Sequence, residues 1–142
     1  FDMQLYPMQL RLASVVAAAY PDLRIVINHC AFPMLKEDYK GEWEKGLRLI
    51  AQNKNVFMKL SGWGIADQKF DKLSMKHIIR RVVDVFGVDR CMFASDFPVD
   101  KPHGEYDMYW DLYVEICQEL GFDEKDIDKM VHANAIKVYR LG

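Results

Sequence analysis

The chain has 142 residues, 51% of them hydrophobic and 13% aromatic, with a formal net charge of -2. That length and apolar content suffice for one folded domain with a real core and exclude a disordered chain. The slight negative charge speaks against a nucleic-acid or membrane-surface partner, and no apolar run approaches the ~20 residues of a membrane span.

In chain order the sequence alternates strand-like and helix-like stretches. "FDMQLY" reads as a short strand, with Met3 and Leu5 alternating against Asp2, Gln4 and Tyr6. Because residue 1 is Phe inside a strand-like run, the chain is expected to be a piece of something longer. "MQLRLASVVAAAY" is rich in helix formers and stops at Pro21. "RIVINHC" is a continuous β-branched run, as expected of a strand buried on both faces. After a polar loop, "EWEKGLRLIAQNK" places Trp43, Leu47 and Ile50 at helical spacing. "NVFMKLSG" is the third strand. "LSMKHIIRRVVDVFG" puts Ile78, Ile79, Val82, Val83 and Phe86 on one helix face, with Gly87 as its stop. "RCMFASD" is the fourth strand. Trp110, Tyr113, Val114 and Cys117 stripe a further helix that ends before Gly121, and "DEKDIDKMVHANAIKVYRL" closes the chain as one helix or a pair. Cys30, Cys91 and Cys117 have no metal-ligand spacing and read as reduced core residues. With no basic and apolar leader in the first residues, they predict a cytoplasmic protein.

Four successive βα units predict an α/β domain, residues 1–142, with a parallel sheet. Either an open doubly wound sheet or part of a (β/α)8 barrel satisfies that pattern. A whole barrel takes about 250 residues, so in the barrel case this chain can supply only half. No glycine-rich phosphate loop follows the first strand, which argues against nucleotide binding.

In parallel α/β folds, sites form at the carboxyl ends of the strands. Those ends carry Gln4 and Tyr6, Asn28 and His29, Lys59 and Ser61, and Ser95 and Asp96. A carboxylate there can take a proton from water and return it to a leaving group. An imidazole can ligate a metal or polarise a carbonyl, and a lysine can meet an anion or a developing oxyanion. The set suits water attack on an ester, lactone or amide, with Asp96 and His29 catalytic and Gln4, Tyr6, Lys59, Ser61 and Trp63 binding substrate. Each also has a plainer reading. Asp96 can cap a turn, His29 can be a hydrogen-bonded core residue, and Lys59 can pair with an acid. Gln4 and Tyr6 can be barrel filling, and Trp63, between Gly62 and Gly64, can be loop packing. His77 and His132 read as surface or packing residues, while His103 follows the fourth strand and can approach the site.

"RIVINHCAFP", "NVFMKLSGWG", "FGVDRCMFASDFPVDK" and "HANAIKVYRL" resemble, in order and spacing, the C-terminal half of the amidohydrolase-2 group of the amidohydrolase superfamily. "FDMQLYPMQL" resembles the strand-five segment of its sugar-lactonase branch. The resemblance implies a TIM barrel of which this chain is the parallel (βα)4 half, strands five to eight plus the C-terminal helices. It implies a hydrolase acting on a lactone or other carboxylic ester, with His29 as the strand-six histidine and Asp96 as the strand-eight general base. Both would ligate a metal if one is bound. One divalent ion, Zn or Mn, is compatible with the family, and lactonases of this branch often work without a tightly held metal. Decarboxylases of the group use the same His and Asp with a divalent ion. The family's H-x-H pair and strands one to four are absent, and Ala31 and Ala94 stand where glycine is common. The alternatives are therefore a metal-dependent non-oxidative decarboxylase, or a half barrel inactive without its N-terminal half. The expected partners are a small-molecule substrate and either a second copy or that missing half.

Overall fold

A computed structural model describes residues 1–33, 37–66 and 71–142. The strands are β1 (Asp2–Met3), β2 (Ile25–Ile27), β3 (Val56–Leu60) and β4 (Cys91–Phe93). They form one sheet in the order β1-β2-β3-β4, every pair parallel, with Val26 opposite Phe57 and Lys59 opposite Met92. The helices are α1 (Leu10–Ala19), α2 (Glu37–Ile50), α3 (Trp63–Ala66), α4 (Lys72–Phe86), α5 (Tyr106–Glu119), α6 (Glu124–Asp128) and α7 (Asn134–Tyr139), and a π-helical turn, Lys129–Ala133, joins the last two.

Sequential strand order decides between the two sheet topologies. A doubly wound sheet reverses direction at a switch point and carries helices on both faces. Here the strands simply follow one another. Ile25, Ile27, Val56, Met58, Leu60, Cys91 and Phe93 all enter one core shared with α1, α2, α4 and α5. The opposite face presents Val26, Phe57 and Met92, which meet Val138 and Ala135 of α7. This is the singly wound arrangement of a barrel wall, helices outside and α7 against the inner face. Arg24, just before β2, donates to the carbonyls of Lys137 and Val138, so α7 ends beside the amino ends of the strands. The carboxyl ends are left free for a site.

Local chemistry sets the elements. Asp71 caps α4 by accepting from the Ser74 amide at 2.9 Å, and Gly87, at φ 77°, ends it. Met75, Ile78, Ile79, Val82, Val83 and Phe86 are the buried face, the periodicity read from the sequence plus one residue. For α5 the buried face is Tyr109, Tyr113, Ile116 and Cys117, not the expected Trp110-to-Cys117 stripe. Trp110 and Val114 are only half-buried, because the helix is rotated to aim Tyr109 and Tyr113 beneath β4. The strands are shorter than the apolar runs that announced them: β1 ends at Met3 and β2 at Ile27. The three cysteines are buried free thiols, and burial pushes Cys30 and Cys117 up to about 12, which makes them inert packing. No helix among the described residues is long and apolar enough to cross a membrane.

Candidate active site

The chain leaves β2 through an unusual turn. His29, Cys30, Ala31 and Phe32 have φ values of 56°, 52°, 58° and 47°, a left-handed turn without a glycine. Each such L-residue costs about 1–2 kcal/mol, so the surroundings must over-determine it. They do so here. The Ala31 and Phe32 amides donate to the Asn28 and His29 carbonyls at 3.0 and 2.8 Å, and the buried Trp43 indole of α2 donates to the Cys30 carbonyl at 2.7 Å. Ala31 bears this strain with its side chain fully buried.

The turn aims the His29 ring along the carboxyl edge of the sheet. Its Nδ1 lies 2.9 Å from the Ser61 hydroxyl at the end of β3, and its Nε2 lies 3.5 Å from Asp96 Oδ1. Gly62, at φ 73°, makes room, since a Cβ there would lie 2.7 Å from the ring. Asp96 follows β4 and is itself left-handed, at φ 56°. Its backbone carbonyl accepts from the Asp100 amide at 3.1 Å, which closes a turn through the cis Phe97–Pro98 peptide. Its Oδ2 is buried with no hydrogen-bond partner among the described residues. Asp96 is therefore not a capping residue whose oxygens are consumed by backbone amides.

Burial dominates the electrostatics of the pair. It holds His29 below its ordinary 6.5, with the Lys59 charge acting the same way and Asp100 opposing. It raises Asp96 above its ordinary 3.8, with Lys59 opposing. A neutral imidazole beside a carboxylate of raised basicity is the pairing that general-base chemistry needs.

The remaining candidates divide. Tyr6, half-exposed, packs tilted against Phe32 with ring centroids 5.2 Å apart, and Phe32 stands 5.4 Å from His29, so an aromatic wall flanks the imidazole. Gln4 lies beyond the end of β1 and is exposed. Ser61 is buried under His29. Lys59 reaches away from Asp96: its ammonium donates to Asp2 Oδ2 at 2.9 Å and lies 5.6 Å from the centre of the Tyr139 ring. It reaches the site only through space. The expected loop at Trp63 is instead the start of α3. That indole is buried and donates to the Tyr113 hydroxyl at 2.7 Å, which in turn donates to the Ala94 carbonyl at 2.9 Å. Trp63 and Tyr113 thus brace the strand that carries Asp96. His77 and His132 are exposed on helices; His103 is exposed and lies close to Asp100.

Asp100 was not singled out by the sequence. It is buried, accepts the Trp63 amide at 3.2 Å through Oδ2, has the Gly64 amide and His103 beside its carboxylate, and its Oδ1 has no hydrogen-bond partner among the described residues. Asn28 Oδ1 is likewise buried and unmet among the described residues. A turn residue has no periodicity to betray it; only its place four residues after Asp96 in "SDFPVD" was a signal.

A divalent metal at this mouth would draw on His29 Nε2 and the unmet Asp96 carboxylate. A catalytic zinc site uses three protein ligands and a water, and among the described residues no third His, Cys, Asp or Glu joins these two. The chain by itself does not fit a complete metal site.

The amidohydrolase family matches residues 1–141. The chain belongs to that family. The matching relatives include the uncharacterized protein y4mH of Sinorhizobium fredii, 33% identical over 141 residues, covering 99% of this chain and 47% of the relative. L-fucono-1,5-lactonase of Burkholderia ambifaria is 34% identical over 146 residues, covering 99% and 50%. Among solved structures, an amidohydrolase of Burkholderia multivorans with bound zinc superposes with a TM-score of 0.88 at 23% identity, covering 99% of this chain and 52% of the other. The amidohydrolase chain thus spans about half the length of its relatives, and its four-stranded sheet matches neighbours of TIM-barrel type.

Proposed function

We propose that the chain is strands five to eight of an amidohydrolase barrel that hydrolyses a sugar lactone, with Asp96 as general base. The observation that carries this reading is the Asp96 carboxylate. It is held at the carboxyl edge of the sheet, one oxygen unmet, 3.5 Å from the His29 imidazole. Asp96 takes a proton from water, and the resulting hydroxide attacks the lactone carbonyl. The ring C–O bond then breaks, and Asp96 returns the proton to the leaving alkoxide, giving a hydroxy acid. The unmet oxygens of Asn28 and Asp100 suit a ligand rich in O–H donors, and the Tyr6–Phe32 wall suits the C–H face of a sugar ring. The kinship with an L-fucono-1,5-lactonase supports the same substrate class.

A complementary (βα)4 unit completes the barrel. Among the described residues β1 and β4 each have one unpaired edge, and Met8, in the turn before α1, with Leu12 and Val15 of α1, are apolar and exposed at 64%, 70% and 62%. Such edges and patches invite pairing. Sedimentation of residues 1–142 alone is expected to show self-association; a stable, well-folded monomer contradicts the pairing. With the complementary half present, acid release from a panel of sugar lactones is the expected activity. No acid release, with carbon dioxide evolved from aromatic acids instead, contradicts the hydrolase reading.

A further inference from the structure

Ser61 was expected to touch substrate, yet only 1% of its surface is exposed. Its hydroxyl has a single hydrogen-bond partner among the described residues, His29 Nδ1 at 2.9 Å. A hydroxyl carries one hydrogen, and a buried donor left without an acceptor is strongly disfavoured. The acceptor in reach is the imidazole nitrogen. In a neutral imidazole one nitrogen donates and the other accepts. If Nδ1 accepts from Ser61, the ring proton sits on Nε2, which faces Asp96 Oδ1.

The geometry points to Ser61 as the positioning residue of this site: with no metal on Nε2, it locks His29 in the Nε2–H form, so that the ring presents its one donor at the edge where Asp96 and the substrate carbonyl meet. His29 is then a fixed electrophile and not a second base. The clamp is tight on both sides. Gly62 leaves no atom to displace the ring, and the left-handed turn fixes where the ring starts. The catalytic part of this inference rests on Asp96 being the base; the tautomer does not.

The chain has four histidines, His29, His77, His103 and His132, so histidine-selective nitrogen-15 labelling resolves them. Long-range proton–nitrogen spectra of the 142-residue chain, under mildly alkaline conditions where imidazole is neutral, should show His29 protonated at Nε2. Ser61→Ala should convert that signature to a mixture of both forms, and Ser61→Thr, which keeps the hydroxyl, should restore it. In the complete barrel Ser61→Ala should lower kcat about 10–100-fold with KM little changed. A proton on Nδ1 in the unsubstituted chain, or a tautomer unmoved by Ser61→Ala, overturns the assignment. The spectra need no substrate. A correct tautomer without lactone hydrolysis would defeat the proposed reaction and leave the role of Ser61 standing.

Discussion

Asp96→Asn is expected to lower kcat for lactone hydrolysis by about 10²–10⁴-fold, the range for loss of a general base, with KM nearly unchanged. Asn fills the same volume and tolerates the left-handed backbone that Asp96 adopts, but it cannot take a proton from water. The same change should not weaken the fold at neutral pH, and this separates a catalytic from a structural role. Burial raises the Asp96 pKa, so the folded state holds its proton more tightly than the unfolded state does. Asp96 therefore contributes stability below its ordinary 3.8, and that contribution is lost as pH rises through the folded value. At neutral pH the ionised carboxylate is a net cost, one oxygen unmet, and Asn removes it. Paired kinetics and urea titrations check both halves. Retained activity would remove Asp96 from the mechanism; loss of activity together with loss of the fold would make it a structural residue.

Asn134→Ala should produce the opposite pattern, destabilising the chain by about 1–3 kcal/mol. The Asn134 amide nitrogen donates to the carbonyls of Val88 and Cys91, both at 2.7 Å, from a site only 5% exposed. Alanine removes the side-chain donor from both; the Val88 carbonyl keeps the Cys91 amide, so the loss falls on the buried Cys91 carbonyl, and a buried unmet group costs about 1–3 kcal/mol. Cys91 opens β4 and Val88 lies in the turn before it, so these two bonds pin the C-terminal helix to the start of the strand that leads to Asp96. This is the physical content of "HANAIKVYRL": the motif anchors the strand that leads to Asp96. A urea-midpoint shift equivalent to less than about 1 kcal/mol would show that α7 holds β4 by apolar packing instead.

The elements and the central pair were legible because they rest on local signals. Periodicity marked α2 and α4, β-branched runs marked the strands, and strand-end position marked His29 and Asp96. What was not legible depends on long-range partners. Lys59 looks like a strand-end cation until Asp2, 57 residues earlier in the chain, takes its ammonium. Trp63 looks like loop because two glycines flank it, yet Tyr113 and Asp100, from other elements, bury it. The left-handed turn from His29 to Phe32 carries no glycine to announce it, and its stability comes from Trp43 and the packed core. Ser61 was seen at the right edge, but its hydrogen bond to the imidazole, 32 residues away in the chain, had no sequence signal.

The central claim is that Asp96 delivers water to a carbonyl carbon. Turnover of L-fucono-1,5-lactone by the complete barrel in oxygen-18 water, read by mass spectrometry of the product, tests it most directly. The account predicts one heavy oxygen per turnover, located in the new carboxylate. Label in the alcohol oxygen, or carbon dioxide released in place of a hydroxy acid, would contradict it.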